Sequence, residues 1–421
     1  MTINDTAGER EADALASLAT HGSGTSHLLH MPAHIYLRVG RYFDAVTSSI
    51  LAITSDNLYL KKCLTPYVPS HNIAMLVSAS LLCGSFDQAL AYSPYTSYSM
   101  PDAVASYLPA LFATPKDIIL ARMGEWRRLI ELSPVEQHNV VSNHGTTISM
   151  YNSSRHSLIR NKDSTSSLGL KLFLRMGRSG VLTTAERSLA TSSPPYVRAM
   201  SAYSRTLAHT GLGDLSAATD SLNVLSAAVS GIPPDPLPSH HPFYSNHQEI
   251  GRIFLLIAKA ALALKNTNAD RHVGIDEAIA LLREAVTIQS AFSYMEPEHF
   301  YFPVRQCLGA AIVKKVELSM DSDDNGALSA LIDDAVKVYE RDVREHPNNI
   351  WSLKGLEIAF KLSARVRLNK KSSTGADSYT QQNNAVKDSV RKNNEALEKA
   401  MLHTPSQYQN FRGSCCELSL C

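Results

Sequence analysis

The chain has little of several things that would have narrowed its chemistry. Its 421 residues hold six cysteines (Cys63, Cys83, Cys307, Cys415, Cys416, Cys421) and no Cys-x-x-Cys pair. That pattern makes neither a zinc ribbon nor a disulfide framework, so core thiols, a free cysteine tail, a reducing compartment and a cytoplasmic location are expected. No sign of charge dominates: Lys plus Arg number 40 against 39 for Asp plus Glu, a net of +1. Without a basic surplus there is no electrostatic case for nucleic acid. No apolar run reaches the ~20 residues needed to span a bilayer, and the longest, 253–264, contains Lys259. Residues 1–10 are polar and acidic, without the apolar core of a signal peptide. No membrane partner is therefore expected. Long β-branched alternation is absent, which argues against an all-β fold. So are GxSxG, a P-loop glycine run and HExxH, which removes the common nucleophile, phosphate and metalloprotease signatures.

What is present is a recurring turn. Gly40-Arg41-Tyr42-Phe43-Asp44-Ala45 reads as a helix end, a glycine in the left-handed region, and the start of a second helix. Gly84-Ser85-Phe86-Asp87-Gln88-Ala89 and Gly213-Asp214-Leu215 repeat it. Ala45 and Ala52 are seven residues apart, as are Ala278 and Ala285, so each pair lies on one narrow helix face that lets a neighbouring helix come close. This is the pattern of a tetratricopeptide unit, with a period of roughly 34 residues. The fold class expected is all-α: a tetratricopeptide-like α-solenoid of antiparallel helix pairs with irregular insertions.

Along the chain, residues 1–10 are expected to be disordered and 11–138 to form N-terminal helical repeats. Residues 139–167 lose apolar periodicity and read as an irregular insertion. Helical repeats resume over 168–368, 369–388 reads as a low-complexity loop, and 389–421 as a final helix and loose tail. Residues 11–19 resemble the second half of a repeat whose first half is missing, as if the solenoid were truncated at its N-terminus. Asp321-Ser322-Asp323-Asp324-Asn325-Gly326 copies the opening of a calcium-binding EF-hand loop, but Ile332 stands where the closing glutamate is needed.

The stretch His27-Leu28-Leu29-His30-Met31-Pro32-Ala33-His34-Ile35-Tyr36, with Val39-Gly40-Arg41-Tyr42, His71-Asn72, Met295-Glu296-Pro297 and Tyr301-Phe302-Pro303-Val304-Arg305-Gln306, resembles a mostly bacterial group of tetratricopeptide-repeat proteins with an HMPxHIYxRxGRY motif and no assigned activity. The likeness covers about residues 26–92 and 277–360. It implies the repeat fold and no particular chemistry.

The same segments supply the candidate site residues: His30, His34, Arg38, His71, Asn72, Tyr301 and Arg305. Imidazoles at His27, His30 and His34 would share a helix face. Pro32 argues against this, since proline is disfavoured inside a helix, so His27 and His30 are expected to precede the helix that carries His34. The three could still converge with His71 from the next repeat and hold a transition metal with one position open. The alternative is that these histidines cap helix ends and stack on tyrosines. Arg38 and Arg41 either bind an anion or complement a helix C-terminus. Arg305 either clamps an anion in the groove or pairs with Glu296 or Glu298, and Trp351 is expected in the core.

Two functional classes follow. The first is an interaction scaffold that receives a protein or peptide partner in its concave groove, with no cofactor. The second is a metal- or small-ligand-binding protein, up to an enzyme, built on the His/Arg cluster.

Overall fold

The computed structural model describes residues 6–21, 26–62, 69–93, 116–132, 195–235, 246–265, 271–320, 324–369, 376–401 and 414–418. The described residues form fifteen α-helices, a short 3₁₀ turn and no strand. In chain order the helices are α1 Thr6–His21, α2 Ser26–Arg38, α3 Tyr42–Lys61, α4 Pro69–Leu82, α5 Phe86–Tyr92, α6 Lys116–Met123, α7 Trp126–Glu131 and α8 Pro195–Leu212. They continue with α9 Leu215–Ser230, α10 His247–Lys265, α11 Arg271–Ser290, α12 Arg305–Leu318, α13 Asn325–Glu345, α14 Ile350–Asn369 and α15 Ala376–Met401. Successive helices pack in pairs, α2 on α3, α4 on α5, α6 on α7, α8 on α9, α10 on α11, α12 on α13 and α14 on α15.

Four of these pairs turn on the same device. Gly40, Gly84, Gly124 and Gly213 have φ of 76°, 71°, 72° and 82°, a region that a side chain disfavours. At each, the following residue donates its N–H to a carbonyl five residues back: Arg41 to Tyr36, Ser85 to Ser80, Glu125 to Leu120 and Asp214 to His209. These are Schellman closures, which satisfy carbonyls a helix end would otherwise leave orphaned. The next residue, Tyr42, Phe86, Trp126 or Leu215, starts the second helix. Where the residue before it is aspartate, it also caps: Asp214 accepts from the Ala217 N–H at 3.1 Å. Asp324, inside the rejected calcium loop, caps α13 in the same way. Buried Ala45, Ala52, Ala278 and Ala285 provide the close approach expected of small residues at that spacing.

Two later parts of the chain return to earlier helices. Trp351, at the start of α14, is 1% exposed, donates its indole N–H to the Leu81 carbonyl at 3.0 Å and meets the Phe86 ring edge-on. Asn348 donates to the Gly40 carbonyl. The 3₁₀ turn Cys416–Leu418 packs against α6, α8, α10 and α12. There Glu417 pairs with buried Arg122 at 2.9 Å, and Cys415 is disulfide-bonded to Cys307. Arg122 lies between the Phe302 and Trp351 rings, with Gln306 as a further acceptor.

Several expectations are corrected. Helix α1 begins at Thr6, so residues 6–10 are helical: Ala7, Glu9 and Arg10 are good helix formers, and Glu9 sits in the first turn where the dipole favours it. Helix α15 begins at Ala376 and takes in most of 369–388, and its later part carries the i,i+4 pairs Lys392–Asp388 and Arg391–Glu395. The tail is not loose where it is described: Ser414 to Glu417 and Leu418 are buried. Cys307 and Cys415 are not free thiols, because the fold brings together residues 108 apart in sequence; Cys416 is disulfide-bonded too, and Cys83 is a buried thiol outside any disulfide, directed at the Ser80 carbonyl. The case for a reducing compartment, and through it for a cytoplasmic location, therefore loses its basis. The insertion expected at 139–167 lies outside the described residues. Among those described, no helix is long and apolar enough to cross a membrane.

Candidate metal centre

Helix α2 runs unbroken through Pro32. The ring removes the N–H that would reach the Leu28 carbonyl, and an interior proline costs a helix roughly 3 kcal/mol. Against this, Pro32, Ala33, Tyr36 and Leu37 are all buried. Tertiary packing against α1 and α3 outweighs the local cost. The separation expected between His30 and His34 is thus overturned: they stand one helical turn apart on one face.

His71, near the start of α4, meets them. Its Nε2 lies 3.3 Å from the Nε2 of His34, which lies 2.9 Å from the Nε2 of His30. Ring centroids are 4.6 to 5.3 Å apart across the trio. Nitrogens bound to one tetrahedral zinc at ~2.0–2.1 Å stand roughly 3.3 Å from each other, so these spacings suit a shared cation. His30 is fully buried. Burial, then the neighbouring His71, His34 and His27, pushes its pKa down to about 2. Burial, then His34 and His27, pushes His71 down to about 4. Both are therefore neutral near pH 7, the form in which imidazole binds a metal.

The fourth participant is Glu296, from the connection between α11 and α12. Its Oε2 accepts from the His34 Nδ1–H at 2.5 Å. A carboxylate on Nδ1 fixes the tautomer that turns the Nε2 lone pair toward His30 and His71, and it strengthens that nitrogen as a ligand. His30 has no such support: its Nδ1 is buried without a partner among the described residues. The three-imidazole set fits a borderline transition cation such as zinc, with one position left for water or another ligand.

The other expected site residues go elsewhere. Asn72 donates to Asp56 at 2.8 Å inside the core and does not face the histidines. Arg305 pairs with Glu345 at 2.7 Å and donates to Ser290, so neither Glu296 nor Glu298 is its partner. Tyr301 is half-buried with its hydroxyl on the Met200 sulfur, and burial holds its pKa well above the ordinary value. Arg38 stacks over the Tyr294 ring at 4.8 Å. Arg41, off the cluster, pairs with Asp13 and Asp44.

The pairings in this region of the fold were not legible in the sequence. Glu296 was considered as a partner for Arg305, with nothing to tie it to a histidine 262 residues away. Glu298 pairs instead with His346, which Asp342 holds from the other side at 2.8 Å. No family model, no curated protein and no solved structure matches this chain.

Proposed function

We propose that the protein is a metal-binding protein in which His30, His34 and His71 hold one transition cation on a tetratricopeptide-like helical framework. The observation that carries this reading is the convergence of three imidazoles, two of them neutral (His30 buried, His71 half-buried), with a carboxylate behind the third. Three protein ligands with an open position is the arrangement of catalytic rather than closed structural zinc sites. A water bound there would be acidified by the cation, which is the chemistry this site offers.

The scaffold reading, with a protein or peptide partner in a concave groove, draws on the helix pairs and the repeated Schellman turns alone. It makes no use of the converging histidines, and metal content separates the two. Tag-free protein, purified without chelator, should carry near-stoichiometric zinc or a similar cation by plasma mass spectrometry. His71→Ala should lose it while keeping its helical circular dichroism. Metal-free protein that also fails to take up zinc or cobalt on addition would return the reading to a scaffold.

A further inference from the structure

We infer that the cavity between Arg38 and Glu296 is a binding site for a small zwitterion, a free α-amino acid. The cavity is about 30 Å³ and lies beside the histidine cluster, with Glu296 in its wall. At ~10–15 Å³ per water it holds about two water-sized groups. Exposed Tyr294 also lines it, so a ligand's remaining atoms can extend toward solvent.

Its charges are engaged except at two points. Of the carboxylates in the wall, Glu298 pairs with His346 and Glu345 with Arg305. Glu296 gives one oxygen to His34, but its Oε1 is buried without a partner among the described residues, and the side chain is only 9% exposed. Of the cations, His346 is held by Glu298 and Asp342. Arg38 makes no ion pair among the described residues and rests on the Tyr294 ring. One wall thus lacks a hydrogen-bond donor and the other lacks an anion. Burying a carboxylate oxygen without a donor is costly, and an arginine fork is shaped for a carboxylate. An ammonium on Glu296 and a carboxylate on Arg38 complete both at once. A simple anion would leave Glu296 unserved, and a simple amine would leave Arg38 unserved.

The inference does not depend on metal, and its test is made without it. Full-length protein stripped with a chelator is titrated calorimetrically with each of the common α-amino acids. The matched carboxylic acid and amine, each lacking one charge, are titrated in parallel. At least one amino acid should bind about tenfold or more tighter than either analogue, and Arg38→Met and Glu296→Gln should each weaken it about tenfold or more. Arg38→Lys, which keeps the charge but not the fork, should fall between, and it serves if the Met variant does not fold. No binding of any amino acid by the wild-type chain up to about 10 mM, or binding unchanged in the Arg38 variants, overturns the inference. Metal content is measured on separate samples, so failure here leaves the metal reading intact, and the reverse holds too.

Discussion

Glu296 holds the Nδ1 of His34 at 2.5 Å across 262 residues of sequence. It joins the connection before α12 to a ligand on α2. The contact does local work at the cluster and also ties a late part of the chain to the first helices, beside the Trp351 and Asn348 contacts.

Replacing that carboxylate should weaken the metal without unfolding the chain. Glu296→Ala is expected to lower zinc affinity about 10- to 100-fold, the usual effect of removing a carboxylate behind a ligating histidine. Competition with a chromophoric chelator measures it. An unchanged affinity would show that Glu296 does not support the ligand.

Arg122 and Glu417 make a pair buried on both sides. Glu417→Ala leaves the guanidinium with Gln306 and two rings but no counter-charge. The expected loss is about 3–5 kcal/mol, and Arg122→Met combined with Glu417→Leu should recover most of it, since apolar replacement of a buried pair is often close to neutral. Urea denaturation of Arg122→Met, Glu417→Leu and the double variant, beside Glu417→Ala, measures the coupling.

How far these features could be read in advance depends on their range. The helix pairs and the glycine turns at Gly40, Gly84 and Gly213 were legible, because a left-handed residue followed by an apolar helix start is a local pattern. Gly124-Glu125-Trp126 is the same signal and went unread. The meeting of His71 with His34 followed from neighbouring first helices lying side by side. Continuity through Pro32 did not follow, since propensity counts only the lost hydrogen bond and not the burial around it. Pairs such as Glu296 with His34, Arg122 with Glu417 and Cys307 with Cys415 have no local signature. Periodicity says which face of a helix is buried, not which distant residue covers it.

The turn glycines should differ in what a side chain costs. Gly40 has φ of 76°, and a Cβ there would run into the Pro347 carbonyl. Gly213 has φ of 82° with nothing within 4 Å. Gly213→Ala should cost about 1–2 kcal/mol from backbone conformation alone, and Gly40→Ala clearly more. Equal losses in chemical denaturation would contradict this view of how α13 and α14 dock on the α2–α3 turn.

His346 should make stability fall in alkali. Burial acts to lower its pKa, but Glu298 and Asp342 outweigh it and hold the value well above the ordinary 6.5. Below about pH 6.5 the folded and unfolded chains both carry the proton, so the ion pairs stabilise fully. As pH rises above that, unfolding releases the proton, and the stabilisation declines until the folded value is passed. The stability gap between wild type and His346→Gln should therefore shrink from pH 6 toward about pH 9. A gap that is constant across that range would contradict the assignment. His30 and His71, with depressed values, act in the opposite sense, and their contribution falls away in acid.

The central claim is that three imidazoles share one cation, and X-ray absorption at the zinc edge of the reconstituted full-length protein tests it most directly. The account predicts three imidazole nitrogens at about 2.0–2.1 Å with one further light-atom ligand. It also predicts one imidazole fewer in His71→Ala. A sulfur-containing shell, fewer than three imidazoles, or an unchanged spectrum in that variant would contradict it.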